Sequence, residues 1–354
     1  MTADITWKTA ADLSRLYGRK ELSPVEAVEH FLKRTEMLQP HLNSLVLMDA
    51  EGARAAARDS EARWQRGEPL SPLDGVPTTI KDTTNVKGWP TRYGSHSTED
   101  SPFAEDAAVA DRFRSAGMVF LGKSTTPEYG WKALTDSPLQ GTTRSPWNLK
   151  HSPGGSSGGA SSLSAAGVCP FNHGNDGGGS VRIPAAHTGL VGLKPSYGRI
   201  AQYPADSPFA DVISQGVLAR SVLDTAMALN VTAGADPRDW RALPDDPREF
   251  SDDLVNDGIL TYFQAEQFLL GKWRGFTIGK FKLLERIGVG GMGQVFLCEH
   301  MFMKRRVAVK VLPPAKAEQP AALGRFYREA RAAGSLDHTN IIRTHDIDQD
   351  GNLH

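Results

Sequence analysis

Apolar residues recur at helical spacing through the first part of the chain. Residues 5–37 predict two helices, and the second lies in the segment SPVEAVEHFLKRTEML, whose four core-type apolar side chains share one face. Ser23 is a candidate N-cap of that helix, and Pro24 stands at its first position, where a missing N–H leaves no hydrogen bond unmade. The segment ARAAARDSEARWQRGE predicts a further helix that ends near Gly67.

Short β-branched runs then alternate with helices. Residues 76–80 predict a strand that leads into Lys81 and Asp82. The segment AAVADRFRSAGMVFLGKST predicts a helix, a turn at Gly117 and a strand over residues 118–121. This alternation predicts an α/β fold in which helices flank a largely parallel or mixed sheet.

The pattern changes near residue 250. Residues 251–275 predict a helical linker, made of two short helices that meet at Leu260–Thr261. Beyond it, the segments FKLLERIGVGGMGQVFLCEH and RRVAVKVL predict strands of an antiparallel sheet, and AALGRFYREARAAG predicts one helix. We therefore expect two domains, an α/β domain over residues 1–250 and an α+β domain over residues 276–354.

Composition and charge exclude several classes of protein. The chain has 354 residues, enough for about two domains, and 40% of them are hydrophobic, which excludes wholesale disorder. Basic and acidic side chains balance, 26 against 29 in the first 250 residues and 14 against 12 in the remainder. Neither part carries the basic excess of a nucleic-acid-binding domain, so we expect no nucleic-acid partner.

Cysteine content and hydropathy bear on the compartment. Two cysteines, Cys169 and Cys298, cannot build a disulfide framework or a thiolate zinc site, so no metal is expected and a reducing compartment is indicated. The N-terminal segment has no apolar signal-peptide core, and no run of about 18 apolar residues occurs. We expect a cytoplasmic protein with no membrane partner.

Glycine and serine are concentrated in one stretch. Nine of the 27 residues from Gly154 to Ser180 are glycine and six are serine. A flexible linker would have this composition, but the segment ASSLSAAGV predicts a buried helix and the flanking sequence is apolar and patterned. Glycine-rich turns also let backbone N–H groups approach a ligand closely. The GxxxxGK[ST] order of a phosphate-binding loop and the GxSxG order of a hydrolase elbow are both absent here.

Three segments in order carry a family resemblance. PGGSSGGASSLSAAG, GNDGGGSVRIPAAHTGLVGLKPSYGRI and the upstream LDGVPTTIKDTTNVKGWPTRYGS resemble the amidase signature family of amide hydrolases, over about residues 5–250. The resemblance implies a Ser–cis-Ser–Lys triad with Ser180 as nucleophile, Ser156 as the bridging serine with a cis peptide, and Lys81 as base. It further implies a small-molecule amide substrate and no cofactor. Asn175 stands where the family motif has threonine, and His173 is atypical.

The implied roles have physical requirements. A lysine acts as a base only when it is neutral, so Lys81 must be buried to lower its pKa. Ser156 would relay protons between Lys81 and Ser180 while Ser180 attacks the carbonyl carbon. The N–H groups of Gly177, Gly178 and Gly179, with that of Ser180, would form the oxyanion hole. Ser157 is expected to support the same turn by hydrogen bonding. Asp176 and Arg182 are candidates for a structural ion pair or for a direct substrate role.

The tail carries a second resemblance. A strand, a glycine loop, a second strand with VAVK and a helix glutamate 19 residues beyond the lysine resemble the N-terminal lobe of bacterial Ser/Thr protein kinases, over about residues 253–354. The resemblance implies ATP, with magnesium in a complete kinase, as the ligand. In that family the lysine contacts the α/β-phosphates and the glutamate pairs with it. The implied ATP-binding residues are Ile287, Gly288, Val289, Gly290, Gly291, Met292, Gly293, Gln294, Val295, Lys310 and Glu329.

Both resemblances depart from complete domains. No HRDxxxxN or DFG motif precedes His354, so phosphate transfer by this chain alone is not expected. Because the magnesium ligands and the second lobe that holds adenine are also absent, ATP binding is expected to be negligible. The amidase-like part is expected to be truncated at its C-terminal side. Residues 346–351 copy half of an EF-hand loop, but a β-turn explains them better than calcium binding. Three hypotheses remain: an amide hydrolase, a kinase fragment that binds ATP, and a non-functional fusion of two partial domains.

Overall fold

Two compact units make up the chain, residues 1–250 and residues 251–354. The structure, a computed structural model, describes residues 4–204, 211–244, 277–278, 280–290, 293–312 and 320–334. The predicted helical linker over residues 251–275 and the EF-hand-like residues 346–351 lie outside the described residues.

Helices and short strands alternate through the first unit. The helices described there are α1 Ala10–Gly18, α2 Pro24–Leu42, α3 Ala50–Arg66, α4 Ala108–Ser115, α5 Gly158–Ala165, α6 Arg182–Thr188 and α7 Val222–Thr232, with a 3₁₀ turn at Glu128–Gly130. The strands are β1 Leu45–Met48, β2 Pro77–Lys81, β3 Val119–Ser124, β4 Asp136–Ser137, β5 Gly141–Thr142, β6 Phe171–Asp176, β7 Val191–Leu193 and β8 Ser214–Ala219.

Local signals in the sequence account for the first helices. Ser23 caps α2, because its side chain accepts a hydrogen bond from the Glu26 N–H while the Glu26 carboxylate accepts from the Ser23 N–H. Gly67 ends α3 in a left-handed conformation with φ of 76°. The predictions of α2, α3, β2, α4 and β3 are confirmed to within a few residues.

The strands form two three-stranded sheets and one short hairpin. In the order β1–β3–β2, β1 is antiparallel to β3 and β2 is parallel to it, so this sheet is mixed, as the sequence predicted. In the order β6–β8–β7 both pairs are antiparallel. The hairpin pairs β4 with β5. The α/β class is confirmed, although the second sheet contains no parallel pair among the strands described.

Side chains join the two sheets along β2 and β6. The Asn172 Oδ1 atom accepts hydrogen bonds from the Thr79 N–H and the Thr79 hydroxyl, at 3.0 and 2.8 Å. The Thr78 hydroxyl donates to the Phe171 carbonyl oxygen at 3.2 Å. These contacts give hydrogen-bond partners to buried backbone and hydroxyl groups, some of which would be paired by strand-to-strand hydrogen bonds in a continuous sheet. They also bring the carboxyl end of β2 beside the carboxyl half of β6.

The larger of two hydrophobic clusters described in the first unit joins its helices to its strands. Phe31 on α2, Ile80 on β2, Leu121 on β3 and Phe171 on β6 all belong to it, and each is fully buried. At about 25 cal/mol per Å² of apolar area, burial of these side chains is the main stabilising contribution to the sheet and its helical cover.

The described residues of the second unit form an antiparallel sheet and a helix. Its strands are β9 Thr277–Ile278, β10 Phe281–Gly290, β11 Gly293–His300 and β12 Arg306–Val311, and its helix is α8 Pro320–Gly334. The strand order is β12–β11–β10–β9, with every neighbouring pair antiparallel. Leu283, Phe296, Cys298 and Val311 form its core. Among the described parts of both units, no helix is long and apolar enough to span a membrane.

Candidate active site

Lys81 lies at the end of β2 with no exposed surface. The apolar run of β2 carries the side chain inward, and burial lowers the pKa of Lys81 to about 7, while the Asp176 carboxylate acts in the opposite direction. A group with this pKa is neutral in a large fraction of molecules near pH 7, as a general base requires.

Ser156 and Lys81 are hydrogen-bonded, with 2.7 Å between Oγ and Nζ. The Gly155–Ser156 peptide bond is cis, and Ser156 is 1% exposed. The neighbouring Ser157 makes two hydrogen bonds to the segment that contains Ser180. Its N–H donates to the Ser180 carbonyl oxygen at 3.1 Å, and its hydroxyl donates to the Asn175 carbonyl oxygen at 3.2 Å. The expected supporting role of Ser157 is therefore confirmed.

Ser180 lies half-buried in the turn that leads from β6 into α6. Asp176 organises this turn, because its carboxylate accepts from the backbone N–H groups of Gly179, Val181 and Arg182 at 2.8, 3.1 and 3.2 Å. The Arg182 guanidinium also pairs with it at 2.9 Å. Burial alone would raise the pKa of the Asp176 carboxyl, but Arg182 and these N–H groups hold it at about 2. Asp176 and Arg182 thus form the structural ion pair that the sequence suggested.

The proposed oxyanion hole needs one correction. The Gly179 N–H donates to Asp176 Oδ1 and so is not available to a substrate. Gly179 has a φ of 115°, and a Cβ atom there would come within 2.7 Å of Ile183 Cδ1, so glycine is required for the turn itself. Among the described contacts, the N–H groups of Gly177, Gly178 and Ser180 have no intramolecular acceptor, which leaves these three as candidate donors.

The hydrogen-bonded chain expected from Lys81 through Ser156 to Ser180 is only partly formed. Within the described region Ser156 contacts Lys81, but no hydrogen bond joins the Ser156 and Ser180 side chains. Both serines line one cavity of about 120 Å³ that opens to solvent. The segments around it come from residues 83–85, 129–131 and 175–180, and from residues 202–204 with 212–215.

His173 supports the backbone of Lys81. The Lys81 N–H donates to His173 Nδ1 at 3.3 Å, so His173 Nε2 carries the proton and donates to Gln215 Oε1 at 2.9 Å. Burial lowers the pKa of His173 to about 3, which keeps the ring neutral. His173, the atypical histidine of the motif, therefore positions the main chain at Lys81 and holds the side chain of Gln215, which lines the cavity.

A buried ion pair beside the base was not anticipated from the sequence. Lys123 Nζ lies 3.0 Å from Asp82 Oδ1, and both side chains are at most 1% exposed. Lys123 also donates to Thr91 Oγ1 at 2.7 Å and to the Pro90 carbonyl oxygen at 2.9 Å. The pair fixes the segment that follows Lys81. The signal was available, since Asp82 and Lys123 lie at the ends of two apolar strands that pair in parallel.

The kinase-like residues lie in the second unit. Lys310 on β12 pairs with Glu329 on α8 at 3.0 Å, and both side chains are about half exposed. Gly290 and Gly293 are directly opposite each other at the end of the β10–β11 hairpin, and Gly288 lies opposite Val295. Gly291 and Met292 lie outside the described residues. The remaining implied residues, Ile287, Val289 and Gln294, belong to the same two strands.

Comparisons with known proteins find relatives that match about two thirds of the chain. A family model described as Amidase matches residues 26–258. An acylamidase of Rhodococcus erythropolis is 42% identical over 236 residues, 67% of this chain and 50% of the relative. A glutamyl-tRNA(Gln) amidotransferase component of Salinispora tropica is 40% identical over 241 residues, 68% of this chain and 49% of the relative. The chain spans about half the length of the curated relatives it matches.

Solved structures are also similar to a large part of the chain. A bacterial aryl acylamidase of the amidase signature family has a TM-score of 0.66 at 35% identity, over 71% of this chain and 52% of that protein. A 6-aminohexanoate cyclic dimer hydrolase has a TM-score of 0.63 at 36% identity, over 69% of this chain and 50% of that protein.

Proposed function

The chain belongs to the Amidase family, and we propose that it hydrolyses amide carbon–nitrogen bonds with Ser180 as the nucleophile. One observation carries this proposal: Lys81, fully buried and with a pKa of about 7, lies 2.7 Å from the Ser156 hydroxyl at the wall of a cavity that Ser180 also lines. A buried neutral lysine beside a serine is the arrangement that a Ser–Ser–Lys mechanism needs.

The proposed reaction begins with proton transfer. Ser156 gives its hydroxyl proton to Lys81 Nζ and takes the proton of Ser180, as Ser180 Oγ forms a bond to the amide carbonyl carbon. The N–H groups of Gly177, Gly178 and Ser180 are the candidate donors to the resulting oxyanion. One such donor contributes about 2.7–4 kcal/mol to the transition state in comparable enzymes.

Acyl transfer then follows the same proton path in reverse. The tetrahedral intermediate collapses, the carbon–nitrogen bond breaks, and Ser156 returns a proton to the departing amine while Lys81 Nζ returns one to Ser156. Water attacks the acyl ester on Ser180 and gives up a proton along the same two residues. The carboxylic acid leaves, and the enzyme regains its first protonation state.

The cavity favours an uncharged amide. None of the described residues that line it is Asp, Glu, Lys or Arg, and the wall combines Tyr93, Tyr129, Trp131 and Tyr203 with amide and hydroxyl side chains. A charged substrate group would lose its hydration there without gaining an ion-pair partner. We therefore propose a neutral acyl amide as substrate, in agreement with the name of the relative called acylamidase.

The test uses a reagent that reports Ser180 without requiring a known substrate. The full chain is treated with a fluorophosphonate, and the modified peptide is identified by mass spectrometry beside an assay of acetanilide hydrolysis. We expect labelling at Ser180 that is lost in Ser180→Ala and falls strongly in Lys81→Met. Ser161→Ala is the matched control, because Ser161 is a buried serine of the same motif that donates only to backbone carbonyls. Labelling on another serine, or hydrolysis that survives Ser180→Ala, would refute the proposal.

A second candidate function belongs to the second unit, and one contact favours it. The Lys310–Glu329 pair at 3.0 Å joins a strand lysine to a helix glutamate, in a sheet whose β10–β11 hairpin ends in glycines. In the kinase resemblance described above, a lysine and a glutamate in these positions form the pair that lies beside the nucleotide phosphates. We propose that this unit can hold the phosphates of a nucleotide such as ATP.

Titration of the full chain with ATP and magnesium tests this second candidate. Amide NMR spectra should show shifts confined to the β10–β11 hairpin and β12. Lys310→Met should weaken the binding about 10- to 100-fold, since one charge-assisted contact to a phosphate contributes about 1.5–3 kcal/mol. Lys282→Met, on β10 of the same sheet, is the control. Absence of any shift, or equal binding by the Lys310 variant, would exclude the candidate.

A further inference from the structure

Asn175 is the second hydrogen-bond partner of the base. Its Oδ1 atom accepts a hydrogen bond from Lys81 Nζ at 2.7 Å, as short as the contact from Nζ to Ser156. Its Nδ2 atom donates to Thr83 Oγ1 at 2.8 Å. Asn175 is 6% exposed and reaches the cavity wall, so its amide contacts both the base and the edge of the substrate space.

The geometry of a neutral amine gives this contact a consequence. A neutral lysine has two N–H groups and one lone pair on Nζ, and these point in fixed tetrahedral directions. When one N–H is held by Asn175 Oδ1, rotation about the terminal carbon–nitrogen bond is restricted. The lone pair can then be directed to Ser156 rather than to any other donor. The Thr83 hydroxyl holds the amide with its oxygen toward Lys81.

We propose that Asn175 is a positioning residue that orients Lys81 toward Ser156 with an uncharged acceptor. This inference rests on the proposed role of Lys81 as general base. It adds that position 175 holds an amide rather than a carboxylate of nearly the same shape. Because the amide carries no charge, Lys81 remains able to lose its proton near neutral pH. Asn175 does not touch the reacting atoms and acts only through Lys81.

The charged groups around Lys81 are consistent with this role. Asp176 and His173 lie on β6 and interact with Lys81, Asp82 follows it in the chain, and Lys123 lies on the neighbouring β3. Lys123 and Asp82 neutralise each other at 3.0 Å, and Asp176 is paired with Arg182 at 2.9 Å. His173 is neutral. A carboxylate at position 175 would add an unpaired negative charge in direct contact with Nζ, which the present arrangement avoids.

The experiment follows the titration of Lys81 directly. The full chain is prepared with lysine labelled at the ε-carbon, and the Lys81 resonance is assigned by its loss in Lys81→Met. Asn175→Asp should raise the Lys81 midpoint by about 1–3 pH units, because an opposite charge in contact favours the protonated amine. Asn148→Asp makes the same chemical change on the exposed surface and should leave the midpoint unchanged.

The second readout is the rate of fluorophosphonate labelling at Ser180 as a function of pH. In Asn175→Asp the rise in rate should move to higher pH together with the Lys81 midpoint. Asn175→Leu and the smaller Asn175→Ala remove the acceptor without adding charge, and their rate at the high-pH plateau should fall at least about tenfold, since misplaced groups lose rate steeply. The Ala variant provides the measurement if the Leu variant does not fold.

Two outcomes would overturn the inference. An unchanged Lys81 midpoint in Asn175→Asp would show that the amide does not contact the base in solution. A plateau rate equal to wild type in Asn175→Leu or Asn175→Ala would show that the contact does not orient Lys81. Failure of the proposed function looks different: wild-type Ser180 would not be labelled at any pH, while the lysine titration would still report whether Asn175 contacts Lys81.

Discussion

At the scale of single residues, the candidate site depends on Lys81, whose burial disfavours the protonated form of its side chain. Lys81 has a pKa of about 7 in the folded protein, whereas its ordinary value is 10.5. Between these values the unfolded chain binds a proton that the folded chain does not. The free energy of unfolding should therefore rise with pH over this window, by up to about 1.4 kcal/mol per pH unit from this group.

Comparison of the wild type with Lys81→Met isolates this contribution. Urea denaturation of the first unit at several pH values from about 7 to 10 should give a difference between the two proteins that grows in favour of the wild type as pH rises. Lys87→Met, at an exposed position, should show no such trend. Parallel pH profiles for wild type and Lys81→Met would contradict burial of a titrating lysine.

Asp176 is a second residue whose substitution should lower the free energy of unfolding by a definite amount. Asp176→Asn keeps the shape but places an amide hydrogen against backbone N–H donors and breaks the pair with Arg182. We expect a loss of about 2–4 kcal/mol in the free energy of unfolding, together with slower labelling of Ser180. Arg182→Ala removes only a half-exposed partner and should cost about 0–1 kcal/mol. Equal losses for the two variants, measured by urea denaturation, would refute these roles in the turn.

Residue roles were predictable from the sequence only where a motif names them. Lys81, Ser156 and Ser180 came from long motifs, and Ser23 from a local capping pattern. The contact of Asn175 with Lys81 joins positions 94 residues apart, and periodicity carries no information about such pairs. The Gly179 N–H was assigned to a substrate because a glycine run suggests free donors. Its use by Asp176 depends on the turn geometry, which composition does not reveal.

At the scale of elements, helix α5 is the clearest case of packing that overrides propensity. All eight residues of α5 are buried, and its sequence GGASSLSA is poor in helix-forming residues. A Cβ atom at Gly159 would clash with the Thr125 backbone nitrogen and would lie 2.6 Å from the Ser44 carbonyl oxygen. The helix thus packs against backbone, which only glycine permits.

This contact reverses the usual effect of a glycine-to-alanine change. In an open helix the change stabilises by about 0.5–1 kcal/mol, but Gly159→Ala should destabilise α5 by about 1–3 kcal/mol through overpacking. Gly324→Ala in α8 is the matched control, since no atom lies within 4 Å of the point that its Cβ would occupy and stabilisation is expected. Hydrogen exchange of the amides in each helix measures both effects. Slower exchange in α5 of the Gly159 variant would contradict this packing.

At the scale of the whole first unit, the cavity is assembled from segments far apart in the chain, which explains why the sequence did not predict its lining. Residues 83–85 follow β2, residues 129–131 include part of the 3₁₀ turn, and residues 202–204 and 212–213 precede β8. Each segment alone has ordinary composition. Only their convergence on Ser156 and Ser180 shows that the described wall is uncharged and rich in tyrosine, tryptophan and amide side chains.

This wall predicts discrimination between neutral and charged amides. A neutral substrate such as acetanilide keeps its polar contacts, whereas the α-ammonium and carboxylate of free glutamine would be desolvated beside described side chains that carry no charge. We expect kcat/KM for acetanilide to exceed that for glutamine by at least about 10²-fold, equivalent to about 2.7 kcal/mol. Steady-state assays of the full chain, with Ser180→Ala as the blank, measure the ratio. A ratio near one, or a preference for glutamine, would show that the described wall does not select the substrate.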